Sequence, residues 1–272
     1  MPLIEIENLS VTYGTPSRPV LSHIDLSIEE GEFVCLLGQT GCGKSTLLKL
    51  VLGAEMPASG RILIDGSEHN QPDRSRGYVP QKYSLFPDKT VLDNITFGPE
   101  VAEFNLLTRF TPRYLRRRRQ LREEALRYIH RIGLCHADTS KYPHQLSGGM
   151  QQRVAIAQAL VTNPRILLLD EAFSALDPGT RKDMQGLIRQ LWRDTDITVL
   201  FVTHNTQEAL YLGSRVIVLA KETTADGARI VMDLPVPEPC HQEQIPRLVQ
   251  RLEHASGCAR ESEEAGMATA IA

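Results

Sequence analysis

Disulfide pairs, membrane spans and a strong charge of one sign are all missing from this chain, and each absence narrows what it can be. The five cysteines (Cys35, Cys42, Cys135, Cys240 and Cys258) are scattered, with no C-x-x-C pair. That spacing argues for reduced thiols and against a disulfide frame or a zinc site. No apolar run approaches the ~18 residues that suggest a spanning helix. The opening Met-Pro-Leu-Ile-Glu-Ile-Glu lacks the basic-then-apolar order of a signal peptide. A cytosolic chain that serves any membrane through partners is the expectation. A formal net charge of −3 gives no global sign of nucleic-acid binding, and no nucleic acid is expected as a partner. With 272 residues, 42% hydrophobic and 23% charged, the chain suits one large α/β domain with room for an inserted subdomain.

What is present concentrates first in Gly38-Gln39-Thr40-Gly41-Cys42-Gly43-Lys44-Ser45-Thr46. The apolar run Phe33–Leu37 ahead of it reads as a strand, and Leu47–Leu52 behind it as the helix it opens. Strand, glycine-rich loop and helix in that order are the context of a phosphate-binding loop. Glycines let successive backbone N–H groups turn inward around phosphate oxygens, and the helix start adds partial positive charge. Lys44 can reach the β- and γ-phosphates of a nucleotide, and the Ser45 hydroxyl can ligate Mg2+. Cys42 lies inside this loop, so an adduct on its thiol would collide with the phosphates.

Ahead of the loop, Leu3–Glu7 alternates like a half-buried strand, Val11–Tyr13 follows, and Val20–Ile28 alternates again after a turn-rich stretch, Gly14–Pro19. This beginning suggests a small antiparallel β-layer, on which Tyr13 could stack against adenine or serve simply as a core or surface aromatic. Behind the loop, Arg61–Asp65 and Gly77–Gln81 read as strands, and helix is expected, with interruptions, from Thr90 to about Val161. Within that region Arg109–Arg131 is strongly basic. Its apolar stripe of Leu115, Leu121, Ala125, Leu126 and Ile129 favours a solvated helix face over a specific anionic partner. Ile197–Val202, Ser214–Leu219 and Arg229–Leu234 read as further strands. From Pro235 the composition turns to Pro, Glu, Gln and small residues, with disorder expected after Gly257.

Two strings carry chemistry beyond the loop. Ile166–Leu169 is a buried-type strand ending in Asp170 and Glu171. Asp170 can hold Mg2+ together with Ser45, and Glu171 can accept the proton of an attacking water. In Leu146-Ser147-Gly148-Gly149-Met150-Gln151-Gln152-Arg153, Ser147 and the glycines form a second anion-receptive helix start. One phosphate loop already holds the nucleotide. A second such terminus makes sense if two copies face each other and each offers it to the other's nucleotide.

Over residues 2–234 these strings resemble the ATP-binding cassette (ABC) ATPases, with Gly38–Thr46 as Walker A, Ile166–Asp170 as Walker B and Leu146–Gln151 as the signature loop. The resemblance implies a P-loop fold with a RecA-like core sheet, an antiparallel β-layer and an inserted helical subdomain at about 90–161. It leaves 235–272 as a C-terminal extension. It places Glu171 as catalytic base, Gln81 as the glutamine that touches the metal and the reacting phosphate, Ser174–Asp177 as the D-loop, His204 as the switch histidine and Tyr13 as the adenine-stacking ring. Lys44, with Gln81, Glu171 and His204, forms the implied catalytic set, and Ser147, Gly148, Gly149 and Gln151 would contact ATP bound to a second copy. ATP and Mg2+ are the implied cofactors. Integral membrane permease subunits, and through them a solute-binding protein, are the implied partners at the cytoplasmic face of the membrane. Two departures stand out: Ala172 where proline is common, and Asn205 where aspartate is common. Within the family the compact cassette and the segments Gly77–Gln81 and Thr203–Ala209 resemble importers of nitrate, sulfonate and taurine, while Asp170–Asp177 suits glycine-betaine-type importers equally. The long stretch Pro99–Arg122 resembles a variant associated with urea-like nitrogen compounds. An exporter ATPase, or a soluble ABC ATPase acting on DNA or ribosomes, is the competing expectation.

Overall fold

A computed structural model describes residues 2–15, 18–68, 71–82, 85–104, 111–221, 223, 226–237 and 245–255. In chain order its first elements are β1 (Ile4–Tyr13), β2 (Arg18–Ile28), β3 (Phe33–Gly38), α1 (Lys44–Leu52), β4 (Ser59–Ile64), β5 (Ser67–Glu68) and β6 (Arg76–Val79). Then follow α2 (Val91–Glu103), α3 (Pro112–Arg131), α4 (Gly148–Leu160), β7 (Ile166–Asp170) and α5 (Pro178–Arg193). β8 (Thr198–Thr203), α6 (Thr206–Leu212), β9 (Arg215–Ala220) and β10 (Arg229–Pro235) complete the order. The chain falls into two units, Met1–Asp73 with Trp192–Ala272, and Arg74–Leu191.

In the first unit the alternating N-terminal runs build the antiparallel sheet β2-β1-β4-β5, with Ile4 opposite both Ile28 and Ile64. The two runs expected as separate pieces form one strand. Asn8, at φ 46°, bends it, and the register with β2 shifts between Ile6 and Leu9, so the apolar side chains return to the same buried face beyond an irregularity. The second sheet of this unit sets β3 in parallel between β8 and β9, and β10 pairs antiparallel to β9. Every residue of β3 and of β8 is buried, which is why both read as unbroken apolar runs rather than alternating ones. Trp192 closes the edge of this core: its indole N–H donates to the Gly31 carbonyl at 2.8 Å and its ring meets Phe33 edge-on at 5.6 Å.

The second unit pairs β6 with β7 in parallel and packs α2, α3 and α4 around Val91, Ile95, Ala125, Ile129, Ile132, Val154 and Ala157. Asn94 is fully buried and all its polar atoms are satisfied. Its Nδ2 donates to the carbonyls of Phe86, Lys89 and Thr90, and its Oδ1 accepts from the Phe86 N–H at 2.8 Å. One side chain thus fixes the turn that leads into α2.

The basic stretch, expected as a solvated helix face, is partly tied up in ion pairs. On α3, Leu121, Ala125 and Ile129 are buried as the periodicity requires, whereas Leu115 is exposed. Arg117 is tied to Glu103 at 2.9 Å and to Glu124 at 3.1 Å, and Arg118 to Glu100 at 3.2 Å. Arg122 reaches Asp93 at 3.4 Å. Arg113, Arg116, Arg119 and Arg127 are exposed.

A further helix covers 245–255, with Leu252 buried. The expected disorder after Gly257 lies outside the described residues, as do Cys240, Cys258, Arg109 and the middle of the Pro99–Arg122 stretch. Among the described residues no helix is long and apolar enough to cross a membrane.

Candidate functional site

The phosphate loop of the first unit is built by the end of β3 and the start of α1. The N-cap of α1 is Gly43 at φ 93°, a left-handed conformation that glycine adopts without strain. No side chain caps this helix and its first turn holds no acid, so its leading N–H groups keep their partial positive charge for an anion. Lys44 is only 4% exposed; its ammonium donates to the carbonyls of Gly38 at 2.7 Å and Gln39 at 2.8 Å. A cation is thereby held against the loop it serves. Gln39, Thr40 and Gly41 are exposed at the rim, Ser45 and Thr46 are half-buried, and Cys42 is buried beneath. Burial pushes the Cys42 thiol up, against the downward pull of the Lys44 ammonium.

Tyr13 stands at the end of β1, 45% exposed, with its phenol hydrogen-bonded to Glu55 and to Thr46 in the first turn of α1. Partial burial and the Glu55 carboxylate raise its pKa, so the ring stays neutral. Lys49 meets Glu55 at 3.3 Å, which links the aromatic ring to α1 through two side chains. His204 is exposed directly after β8. Asn205 caps α6, its side-chain oxygen accepting from the Glu208 N–H at 3.0 Å, while its own N–H donates to the Thr203 hydroxyl at 3.0 Å. Asparagine thus serves as an N-cap here as well as aspartate would.

In the second unit the end of β7 gathers four side chains. Asp170 is buried and lies 3.5 Å from the Tyr78 hydroxyl. Burial, and then the Asp170 charge, push the Tyr78 phenol up to about 12. Glu171 sits at φ 44°, an unusual conformation for a residue with a side chain, and its carboxylate accepts from Gln81 Nε2 at 3.0 Å. Gln81, Asp170 and Glu171 are therefore brought together, as their expected roles need. Behind them Arg181 donates to the carbonyls of Phe173, Ser174 and Leu176, which fixes the turn over 173–176. Asp177 caps α5 by accepting from the Thr180 N–H at 3.0 Å.

The same unit carries the second glycine-rich helix start. Ser147 is the N-cap of α4, and its hydroxyl accepts from the Met150 N–H at 3.3 Å. Ser147 and Gly148 are exposed. Gly149 cannot be larger without movement, since a Cβ there would meet Thr180 Cγ2 at 2.4 Å. Gln151 turns back on its own segment, donating from Nε2 to the carbonyls of Pro143 at 3.0 Å and Leu146 at 3.2 Å. It braces the loop that presents Ser147.

Among the described residues no group of three or more His, Cys, Asp or Glu could hold a metal by themselves. Within the second unit the oxygen donors of Asp170 and Gln81 are of the kind that suits a hard cation taking the rest of its shell from phosphates and water, which is the habit of Mg2+. The uncapped, acid-free start of α1 with buried Lys44 likewise suits the phosphates of ATP.

Comparison with known proteins bears on the nucleotide part of this reading. The family model described as ABC transporter matches residues 21–174. The chain belongs to the ABC transporter family. This cassette is 37% identical over 246 residues to a bicarbonate transport ATP-binding protein of Synechococcus elongatus, covering 90% of the chain and 84% of the relative. It is 38% identical over 244 residues to a nitrate import ATP-binding protein of the same organism, covering 88% and 85%. Among solved structures, a dimeric post-hydrolysis ATP-binding cassette bound to ADP and Pi superposes with a TM-score of 0.71 at 31% identity. That match covers 86% of the cassette and 99% of the neighbour.

Three residues of the site escaped the sequence reading. Tyr78 lay within the quoted strand but reads as a core aromatic, because its partner Asp170 is 92 residues away. Glu55 and Arg181 are ordinary loop and helix charges until the fold sets them against Tyr13 and the turn over 173–176. No local pattern marks any of them.

Proposed function

We infer that this cassette is the ATP-hydrolysing subunit of an importer, peripheral at the cytoplasmic face of the membrane, driving uptake of a small solute through partner permease subunits. It is an ATP hydrolase of the ABC type. Lys44 would exchange the carbonyls of Gly38 and Gln39 for β- and γ-phosphate oxygens, and the N–H groups at the start of α1 would take the remaining charge. Tyr13, held through Glu55 and Thr46, would stack on the adenine. Ser45, Asp170 and Gln81 would hold Mg2+, which supplies charge neutralisation at the phosphates.

Glu171 takes the proton from the water that attacks the γ-phosphorus, and Gln81, bonded to that carboxylate, keeps it aimed. His204, exposed after β8, is assigned to the γ-phosphate. A second copy of the cassette contributes Ser147, Gly148 and Gly149 to the same phosphate, so two ATP molecules are shared between two chains. Binding closes the pair and hydrolysis reopens it, which moves the permease between its two access states. The observation that carries the chemistry is the 3.0 Å bond from Gln81 to Glu171 beside Asp170. Full-length relatives named for bicarbonate and nitrate support a small solute of that anionic kind.

Phosphate release from ATP by the purified chain, compared with Glu171→Gln, tests the assignment. Turnover is expected to fall by the ~10²–10⁴ typical of losing a general base while ATP still binds. Near-normal hydrolysis by the variant would remove Glu171 from that role. ATP-dependent uptake by vesicles holding the cassette with its permease, measured with nitrate, bicarbonate and a sulfonate, tests the solute.

A further inference from the structure

The arginines of α3 divide by face. Arg117, Arg118 and Arg122 turn toward carboxylates of α2 and of α3 itself and are neutralised there. Arg113, Arg116, Arg119 and Arg127 are exposed, and among the described residues none of the four makes an ion pair. Their spacing puts all four on one stripe of the helix, joined by exposed His130 and interrupted by a single acid, Glu123. From Arg113 to Arg127 the stripe runs about 21 Å at the helical rise per residue. Beside it Leu115 stands 65% exposed, an apolar side chain next to the basic row.

Such a row of like charges is self-repulsive in isolation, and the acids within reach on α2 are already engaged by the inward arginines. The surface is a convex rod with guanidinium groups and no outward aromatic ring, so it lacks the stacking platforms of single-stranded nucleic-acid binders. A flat anionic surface asks for no more than a straight basic row and an apolar side chain at its edge. We propose that the outward face of α3 lies against anionic phospholipid headgroups, Arg113, Arg116, Arg119 and Arg127 holding the surface and Leu115 entering it. The inference rests on the importer reading only in placing this cassette next to a bilayer.

Cosedimentation of the full-length chain with vesicles tests it. The probes are phosphatidylcholine vesicles with and without phosphatidylglycerol, and the variant is Arg113→Gln, Arg116→Gln, Arg119→Gln and Arg127→Gln together. The parent is expected to bind only the anionic vesicles, more weakly as salt rises. Each arginine removed should lower the partition coefficient about fivefold, equivalent to the ~1 kcal/mol of a basic residue at such a surface. Replacing the same four by lysine should keep most of the binding, which separates charge from fold. Equal binding to neutral vesicles, or unchanged binding by the glutamine variant, overturns the proposal. So does a preference for duplex DNA over anionic vesicles at equal salt, which would make the face a nucleic-acid surface. ATP hydrolysis followed in the same samples should not change, because none of these residues belongs to the nucleotide site. A parent chain that hydrolyses ATP yet fails to bind anionic vesicles therefore sinks this inference alone, whereas absence of hydrolysis in the parent sinks the ATPase reading whatever the vesicles show.

Discussion

Two glycine-rich helix starts, one in each unit, meet the same physical demand in different ways. α1 begins at a left-handed glycine with no side-chain cap and carries its own buried ammonium, Lys44. α4 begins at an exposed serine that caps the helix itself, has no cation in its first turn and no acid there either. Both keep the positive end of the helix clear of carboxylates, which is what an anion site needs. They differ in completeness. The first offers a loop, a helix end and a full charge, and can hold phosphates alone. The second offers one hydroxyl and a helix end, which suits it, under the proposed shared site, to an auxiliary role beside a site already charged. The glycines differ too: Gly43 is needed for its φ as well as for the space Leu21 occupies, whereas Gly149 is needed for the space Thr180 occupies alone.

The largest way to break this contrast is Lys44→Ala. Charge-assisted hydrogen bonds are worth about 1.5–3 kcal/mol, so ATP affinity should fall roughly 10- to 100-fold by calorimetry. Unchanged affinity would put the first helix start on the footing of the second. If α4 serves another copy as proposed, no substitution there should weaken ATP binding to the isolated chain at all.

A sharper, smaller contrast compares glycines. Gly41→Ala places its Cβ in open space but at φ 83°, and the left-handed region costs an L-residue about 1–2 kcal/mol. Gly149→Ala has no such backbone penalty but must displace Thr180 Cγ2. Adding Thr180→Ser, which removes that methyl and keeps the residue's N–H for the Asp177 cap, should restore the melting temperature of Gly149→Ala and do nothing for Gly41→Ala. Absence of rescue would mean that Gly149 is not a packing glycine.

Ser147 separates its two tasks in the same way. Ser147→Ala loses an N-cap worth about 1 kcal/mol and should lower the Tm by about 2–4 °C. Ser147→Gly should cost only a few tenths of a kcal/mol, because glycine is a tolerable cap. Both should weaken the ATP-dependent dimer, and a glycine variant that dimerises normally would reduce Ser147 to a cap.

The smallest effect concerns Cys42. Its place in the loop suggests inactivation by alkylation, yet the thiol is buried and held protonated by that burial. Its folded pKa is raised, so thiolate, and with it the alkylation rate, should become appreciable only as pH climbs above the ordinary cysteine range. Exposed Cys135 should react first at neutral pH, with activity retained. Rapid loss of activity at neutral pH that disappears in Cys42→Ala would contradict the burial argument.

What the sequence made legible is what is local. Gly43, Lys44 and the start of α1 lie within a few residues, and so do Ser147, Gly148 and Gly149, because loop conformation and helix initiation are settled over one turn. Asp170 and Glu171 were legible from the buried run they end. The support behind them was not: Tyr78 reaches Asp170, and Gln81 reaches Glu171, across some ninety residues that only the parallel pairing of β6 and β7 brings close. β1 was divided at Asn8 because a bend breaks the alternation that marks a strand. The basic run within Arg109–Arg131 read as one face, although a helix turns 100° per residue. Adjacent arginines must therefore part between the carboxylates of α2 and the outside.

The claim that the two helix starts come from different copies and close on one ATP is tested most directly with Glu171→Gln. This variant keeps Lys44, Ser45 and Asp170 for binding and cannot take the proton, so ATP should persist uncleaved. Light scattering behind size exclusion, at high protein concentration, should find a dimer in ATP and a monomer in ADP, and Ser147→Arg added to Glu171→Gln should abolish the dimer by filling the anion site. An ATP-loaded Glu171→Gln protein that stays monomeric, or a dimer indifferent to Ser147→Arg, would contradict the shared site.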